Sequence, residues 1–449
     1  MLTSSATNHL IYRLLIIVSL ILLFAILISI NEIIGFIFLI FILGLFVFII
    51  GIQFPEIPFY ILIGSFALGS LLKTELLPTT FMIIPGALAI ACFSINLTNK
   101  RTRFTFPLKI AWPWIVFLGW VIIIGIYYQS IDIVRPYIFV FILFVLSANV
   151  IRSPANIKGF AWTIVISLTI TCLVVIIQKF FFSMYDIDLV LGDKNIVSMY
   201  ILVGLPFIFF LLKTTKLKIL RVLFICNIAI LLIAITLLLS IGAFVGLLVL
   251  LLSAFFTEKN LKYRFLIIVI LLITILLGIF GPLSTRINQQ IDVFKTDDPG
   301  NWMTYRGMLW EASIDMINQN PLIGYGTYKN IHNQFMQSPY LDTWIKIYFR
   351  NEELQSHNSF LTVACQFGLI GLLFFSLGIT NNCYFLVRLL KSININNPNS
   401  KLLIFGNTLL ISLISILVQS MALTVPVDKY FWALLGAIHA YHKIVEKNN

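Results

Sequence analysis

The chain has 449 residues, 60% of them apolar and only 11% charged, with a formal net charge of +12. A water-soluble chain carries about 25% charged residues, so the composition excludes an ordinary soluble globular protein. The basic excess lies in the connections between charge-free apolar runs rather than on one face or tail, which excludes a nucleic-acid footprint and points to orientation and lipid-headgroup contact.

Runs such as 14–30, 33–52, 160–177 and 265–279 contain no charge. About 20 apolar residues cross a bilayer as a helix, and a soluble core helix would show a polar stripe that these lack. In chain order the runs predict spans near 11–30, 33–52, 57–72, 80–97, 110–128, 136–151, 160–182, 198–212, 220–239, 241–256, 265–283, 358–380, 402–421 and 427–441. The fold class expected is all-α: a polytopic membrane protein of about 14 (12–14) transmembrane helices. Asn31-Glu32 is the only polar break between the first two runs, which makes them a tight hairpin. The first run is too long for a signal-peptide core, and no small-x-small cleavage site follows it.

Alternate connections hold the positive charge. One set carries Lys100, Arg101, Arg103, Lys109, Arg152, Lys158, Lys213, Lys216, Lys218, Arg221, Lys259, Lys262, Arg264, Arg388, Lys391 and Lys401. The short connections of the other set hold only Lys73, Arg135, Lys179, Lys194 and Lys429. By the positive-inside rule both termini are cytoplasmic and the one long loop, 284–357, is extracytoplasmic. The expected organisation is a membrane domain over 1–283, the loop over 284–357 and a second membrane domain over 358–449.

The five cysteines show neither metal nor disulfide spacing and read as small buried hydrophobes. The long loop alone resembles soluble protein, with eight acidic, six basic and eleven aromatic residues. A turn at Asp297-Asp298-Pro299-Gly300 leads to a helix over 303–318, which Asn320-Pro321 ends. Arg306, Trp310 and Ile317 project from similar angles of it. Gly324-Tyr325-Gly326 reads as a flexible turn, and the aromatic stretch 340–349 as an interfacial segment.

Within the spans there is no Asp, Glu or Arg at mid-depth, which disfavours an ion-coupled transporter. The loop side is richer in chemistry. Arg135, Lys194, Arg286, Arg306 and Arg350 lie there with His332 and His357. His332 reads as an exposed loop histidine. His357 immediately precedes a span, and a histidine there can take a proton from an attacking hydroxyl near neutral pH. Arginines at the same level can grip a diphosphate and neutralise charge developing on a leaving phosphate. Bland alternatives weigh against each: an interfacial cap neighbour for His357, a solvated helix position for Arg306 and a headgroup anchor for Arg286.

The stretch 306–375 resembles the O-antigen ligase and polymerase family of bacterial surface glycan assembly. Three pieces carry the likeness: Arg306-Gly307-Met308-Leu309-Trp310; the turn Asn320-Pro321-Leu322-Ile323-Gly324-Tyr325-Gly326; and His357-Asn358-Ser359-Phe360-Leu361, followed by Gln366-Phe367-Gly368-Leu369-Ile370-Gly371-Leu372. Asp193-Lys194-Asn195 ahead of 202–206 is similar to an outer loop of the family. The resemblance implies a membrane glycosyltransferase of the GT-C type in the bacterial inner membrane. It would move a glycan from undecaprenyl diphosphate to an acceptor hydroxyl, with neither metal nor cofactor. His357 would correspond to the family's essential loop histidine, and Arg306 to an arginine near the donor diphosphate. Arg286, Arg135, Lys194 and Arg350 would be the further diphosphate-binding candidates. The implied partners are membrane lipid, the lipid-linked donor, a glycan or lipid A-core acceptor, a chain-length regulator and a flippase, with no nucleic acid. One position departs from the family. Where its ligases carry a Ser-Arg pair in a tight outer turn, this chain reads Ser240-Ile241-Gly242-Ala243, which tilts the expectation from ligase toward polymerase. A flippase or transporter of lipid-linked glycan, and a membrane scaffold, are the readings from other classes.

Overall fold

The computed structural model describes residues 32–69, 80–100, 103–106, 108–181, 193–281, 284, 288, 302–348, 350, 354–396 and 400–448. The expected span 11–30 and the turn 297–300 lie outside them. The described chain is helical: α1 (Glu32–Gln53), α2 (Glu56–Gly69), α3 (Thr80–Thr98), α4 (Leu108–Tyr127), α5 (Ile131–Val150), α6 (Pro154–Phe181), α7 (Lys194–Thr214), α8 (Lys218–Leu237), α9 (Ile241–Thr257), α10 (Leu261–Phe280), α11 (Trp302–Gln319), α12 (Tyr328–Gln337), α13 (Thr343–Tyr348), α14 (Ser359–Asn396), α15 (Lys401–Ser420) and α16 (Lys429–Asn448).

Each expected span from 33–52 onward coincides with one of these helices. Among the described residues, eight are long and apolar enough to cross a membrane, and α2, α9 and parts of α1 and α3 are shorter apolar helices. The protein is an all-α, multi-pass membrane protein. Helix α14 runs well beyond the expected 358–380, to Asn396. Of the cysteines, Cys226 is exposed on the outside of the bundle rather than buried.

Apolar side chains gain little from leaving lipid for a helix interface, so packing and internal hydrogen bonds hold such a bundle together. Helix α7 is its axis. Of its most apolar stretch 83% is buried, against 22% for peripheral α10. Helices α6, α8, α9 and α15 surround α7, and α5 packs on α16 and α4 on α14. Small residues permit the closest approaches: Gly378 of α14 lies against the Trp114 ring, and Gly436 of α16 against the Phe144 carbonyl.

The long loop builds a small core of its own. Leu309, Met316, Ile331, Phe335, Leu341, Ile345 and Leu354 pack together, joined by Cys365 from α14. This core seats α11 on the first turns of α14.

Candidate active site

Helix α14 is broken near its start. Gly368 has φ 66° and ψ −174°, a conformation essentially reserved for glycine. The break frees backbone groups that an apolar surrounding cannot hydrate. The loop turn supplies their partners. Tyr325 N donates to Cys365 O (2.7 Å), Gly326 N to Gln366 O (2.9 Å) and Leu369 N to Pro321 O (2.7 Å). Trp120 Nε1 of α4 donates to Phe367 O at 2.8 Å, and the Tyr128 hydroxyl to Gly324 O at 2.5 Å. The segment Pro321–Gly326 is therefore not the flexible turn expected from its glycines. Gly324 (φ 66°) and Gly326 (φ 71°) serve close backbone approach.

The same lock positions the segment before α14. Trp310 Nε1 on α11 donates to Ser356 O at 3.0 Å. Ser356 Oγ donates to Asn358 O (2.9 Å) and pairs with the Thr362 hydroxyl (2.7 Å). Asn358 caps the helix, its Oδ1 accepting from Phe360 N (3.0 Å) and Leu361 N (3.2 Å). Ser359 Oγ donates to Leu423 O (2.7 Å) and accepts from Val425 N (2.8 Å), tying in the α15–α16 connection. Between these anchors His357 is held at φ 47°. That left-handed conformation is uncommon for a non-glycine residue, and such strain concentrates at functional sites.

His357 is half-buried. Burial pushes its pKa below the ordinary histidine value, the Arg306 guanidinium pushes it the same way, and the Asp193 carboxylate pulls it back. The imidazole is thus neutral at neutral pH, the state that accepts a proton. Asp193 is the N-cap of α7, its side chain accepting from Asn195 N at 2.8 Å. Asn195 Oδ1 in turn accepts from Ser240 Oγ at 2.8 Å, and Ser240 caps α9. Gln419 Nε2 of α15 donates to Gly242 O at 2.5 Å. The start of α7, the Ser240-Ile241 turn, the end of α15 and the His357 segment thereby share one end of the bundle.

The residues singled out in the sequence fall differently across this end. Arg306 acts electrostatically on His357, and half-buried Lys194 follows Asp193 directly. Arg135 is exposed on the first turn of α5, its guanidinium 5.7 Å from the Phe139 ring centroid. Arg350 is exposed, and Arg286 lies outside the described residues. His332 is not an exposed loop histidine. It is half-buried on α12, where its Nδ1 accepts from Leu354 N at 3.2 Å and secures the segment leading to His357. The sequence reading did not assign Asp193 a part in the site. Its position just before Lys194 as a helix cap was the available signal.

Fold and site together define a multi-pass membrane protein with a strained, half-buried histidine, an arginine and an aspartate gathered at the end that carries its long loop. Residues 226–376 match the family model described as O-Antigen ligase. The matched segment begins in α8, spans the whole loop and ends in α14, so it contains Arg306 and His357. Over these residues the chain is similar to that family. A search of curated proteins finds no match.

Proposed function

We propose that the chain is a bacterial inner-membrane glycosyltransferase that moves a glycan from an undecaprenyl-diphosphate donor to an acceptor hydroxyl, and that it is a polymerase rather than a ligase. The observation that carries this reading is His357, kept neutral by burial and Arg306 and fixed at a membrane-level helix start. His357 takes the proton of the acceptor hydroxyl as its oxygen attacks the anomeric carbon. The bond from that carbon to the diphosphate oxygen breaks, and the diphosphate leaves with the electron pair. Arg306 and Lys194 neutralise the leaving group. Lys194 stands in for the cation missing at Ile241, since Asn195 beside it is bonded to Ser240. The alternation of basic connections supports an extracytoplasmic loop and cytoplasmic termini. The three parts of the chain (1–283, 284–357 and 358–449) then act as a membrane platform, a site-bearing loop and a closing bundle.

In a deletion strain, His357→Ala and Arg306→Ala should each fail to restore product while inserting at wild-type level. Full complementation by both would remove the proposed site. The banding of lipopolysaccharide in the deletion strain separates the two activities. A core carrying a single repeat indicates a polymerase, and loss of all attached glycan a ligase.

A further inference from the structure

A cavity lies at the opposite end of the bundle from His357, between α7, α9, α10 and α15. It is a narrow cleft open to the surface, with a cavity volume of about 50 Å³. Its polarity is graded along its depth. Lys213, Thr257 and Glu258 sit at the helix ends, Asn407 lies about two turns inside α15, and Pro206, Phe209 and Ile411 line the floor. From Lys213 to Pro206 is seven residues of one helix, about 10 Å of depth. Pro206 cannot donate a backbone bond within α7 and kinks such helices.

We infer that this cavity is a binding site for an anionic diacyl phospholipid of the leaflet at that end. One acyl chain occupies the apolar floor, and the phosphate rests at the mouth beside Lys213. Three observations carry this. The depth gradient from charged to apolar is that of a lipid. Asn407 presents its amide on the wall, and among the described residues no hydrogen bond is seen to its side chain, so it can donate to a glycerol ester carbonyl. The surrounding charge is strongly positive. Arg264, on the first turn of α10, lies over Phe255, and its buried Nε has no hydrogen-bond partner among the described residues. Lys216 on the adjoining connection, Lys218 at the start of α8 and Lys262 at the start of α10 are exposed. The one carboxylate at the mouth, Glu258, is engaged by Lys213. Lys213 also lies over the Tyr263 ring and keeps ammonium donors for a phosphate. Basic pockets between transmembrane helices favour anionic headgroups in this way.

The inference does not depend on the proposed reaction, because the cavity and His357 occupy opposite ends of the bundle. The test is native mass spectrometry of the purified full chain, titrated with phosphatidylglycerol or phosphatidylcholine of matched acyl chains. Phosphatidylglycerol should be retained with a preference of roughly fivefold for each basic group engaged. Ala254→Phe, which fills the cavity, should abolish that preference. Asn407→Leu, which removes the donor to an ester carbonyl that both lipids carry, should weaken retention of both, and carries the test alone if the larger substitution prevents folding. Equal retention of the two lipids by the wild type overturns the inference. So does undiminished phosphatidylglycerol retention by the folded Ala254→Phe variant, or by Asn407→Leu where that stands alone, because the lipid would then be bound elsewhere on the basic surface.

Discussion

Replacing Gly368 with alanine should unlock the loop from the bundle. A non-glycine residue at φ 66° and ψ −174° costs on the order of 1–3 kcal/mol in backbone strain. The added methyl would also run into the Leu322 carbonyl and Ile323 N, backbone atoms that cannot swing aside as a side-chain tip would. Relief requires the turn to part from α14, which breaks the Tyr325–Cys365, Gly326–Gln366 and Leu369–Pro321 bonds. At about 1 kcal/mol each these add about 3 kcal/mol, for a combined loss of about 4–6 kcal/mol. Gly307 is the internal control. It lies within α11 with open space around the position of a Cβ, so Gly307→Ala should stabilise by about 0.5–1 kcal/mol. Thermal unfolding of the purified full chain in detergent, followed by tryptophan fluorescence, should move the two variants in opposite directions. Gly368→Ala melting together with the wild type would refute the view that the broken helix and the loop turn form one unit.

Three further outcomes follow from the site. Because burial and Arg306 depress the His357 pKa while Asp193 raises it, the base form persists below the ordinary histidine value of 6.5. The acid limb of activity should therefore lie below that pH, moving up in Arg306→Gln and further down in Asp193→Asn; shifts of the same sign in both variants would contradict the geometry. Trp310→Phe deletes the donor to Ser356 O and should cost about 1 kcal/mol of stability, with turnover falling more than KM rises in a reconstituted assay. Lys194→Gln should lower kcat/KM by roughly 10–100-fold, the worth of a charge-assisted contact to phosphate. Ile241→Arg in that background should recover much of the loss, whereas a double variant no better than the single one would rule out the shared role of the two positions.

The architecture was legible because hydropathy reports on lipid directly. An unbroken apolar run has no favourable place in water, so runs and helices coincide over α1–α10 and α14–α16. The helix α11 was equally readable, since Asn320-Pro321 stops it and its periodicity faces a small core. The break in α14 was not. Hydropathy is blind to φ, and the stretch around Gly368 is as apolar as an intact helix would be. The turn at 324–326 was misread for a related reason. Glycine permits both freedom and close contact, and only the partner chain segment, some forty residues away at Cys365 and Gln366, decides between them. Asp193 was hidden by distance in sequence, since its effect on His357 exists only once α7 and α14 share an end of the bundle.

The way the site is anchored bears on its chemistry. The polar contacts holding the His357 segment run largely through main-chain groups: Ser356 O to Trp310, Asn358 Oδ1 to two helix amides, and Ser359 Oγ to Leu423 O and Val425 N. These anchors fix the backbone origin of the imidazole on three separate parts of the chain, the loop helix α11, α14 and the α15–α16 connection. A base must sit within hydrogen-bond reach of the proton it takes, and misplacement by about 1 Å can cost on the order of a hundredfold in rate. The positive φ of His357 is consistent with that demand. The segment accepts local strain, and the surrounding bonds over-determine it, in exchange for a side chain aimed where a relaxed helix start would not direct it.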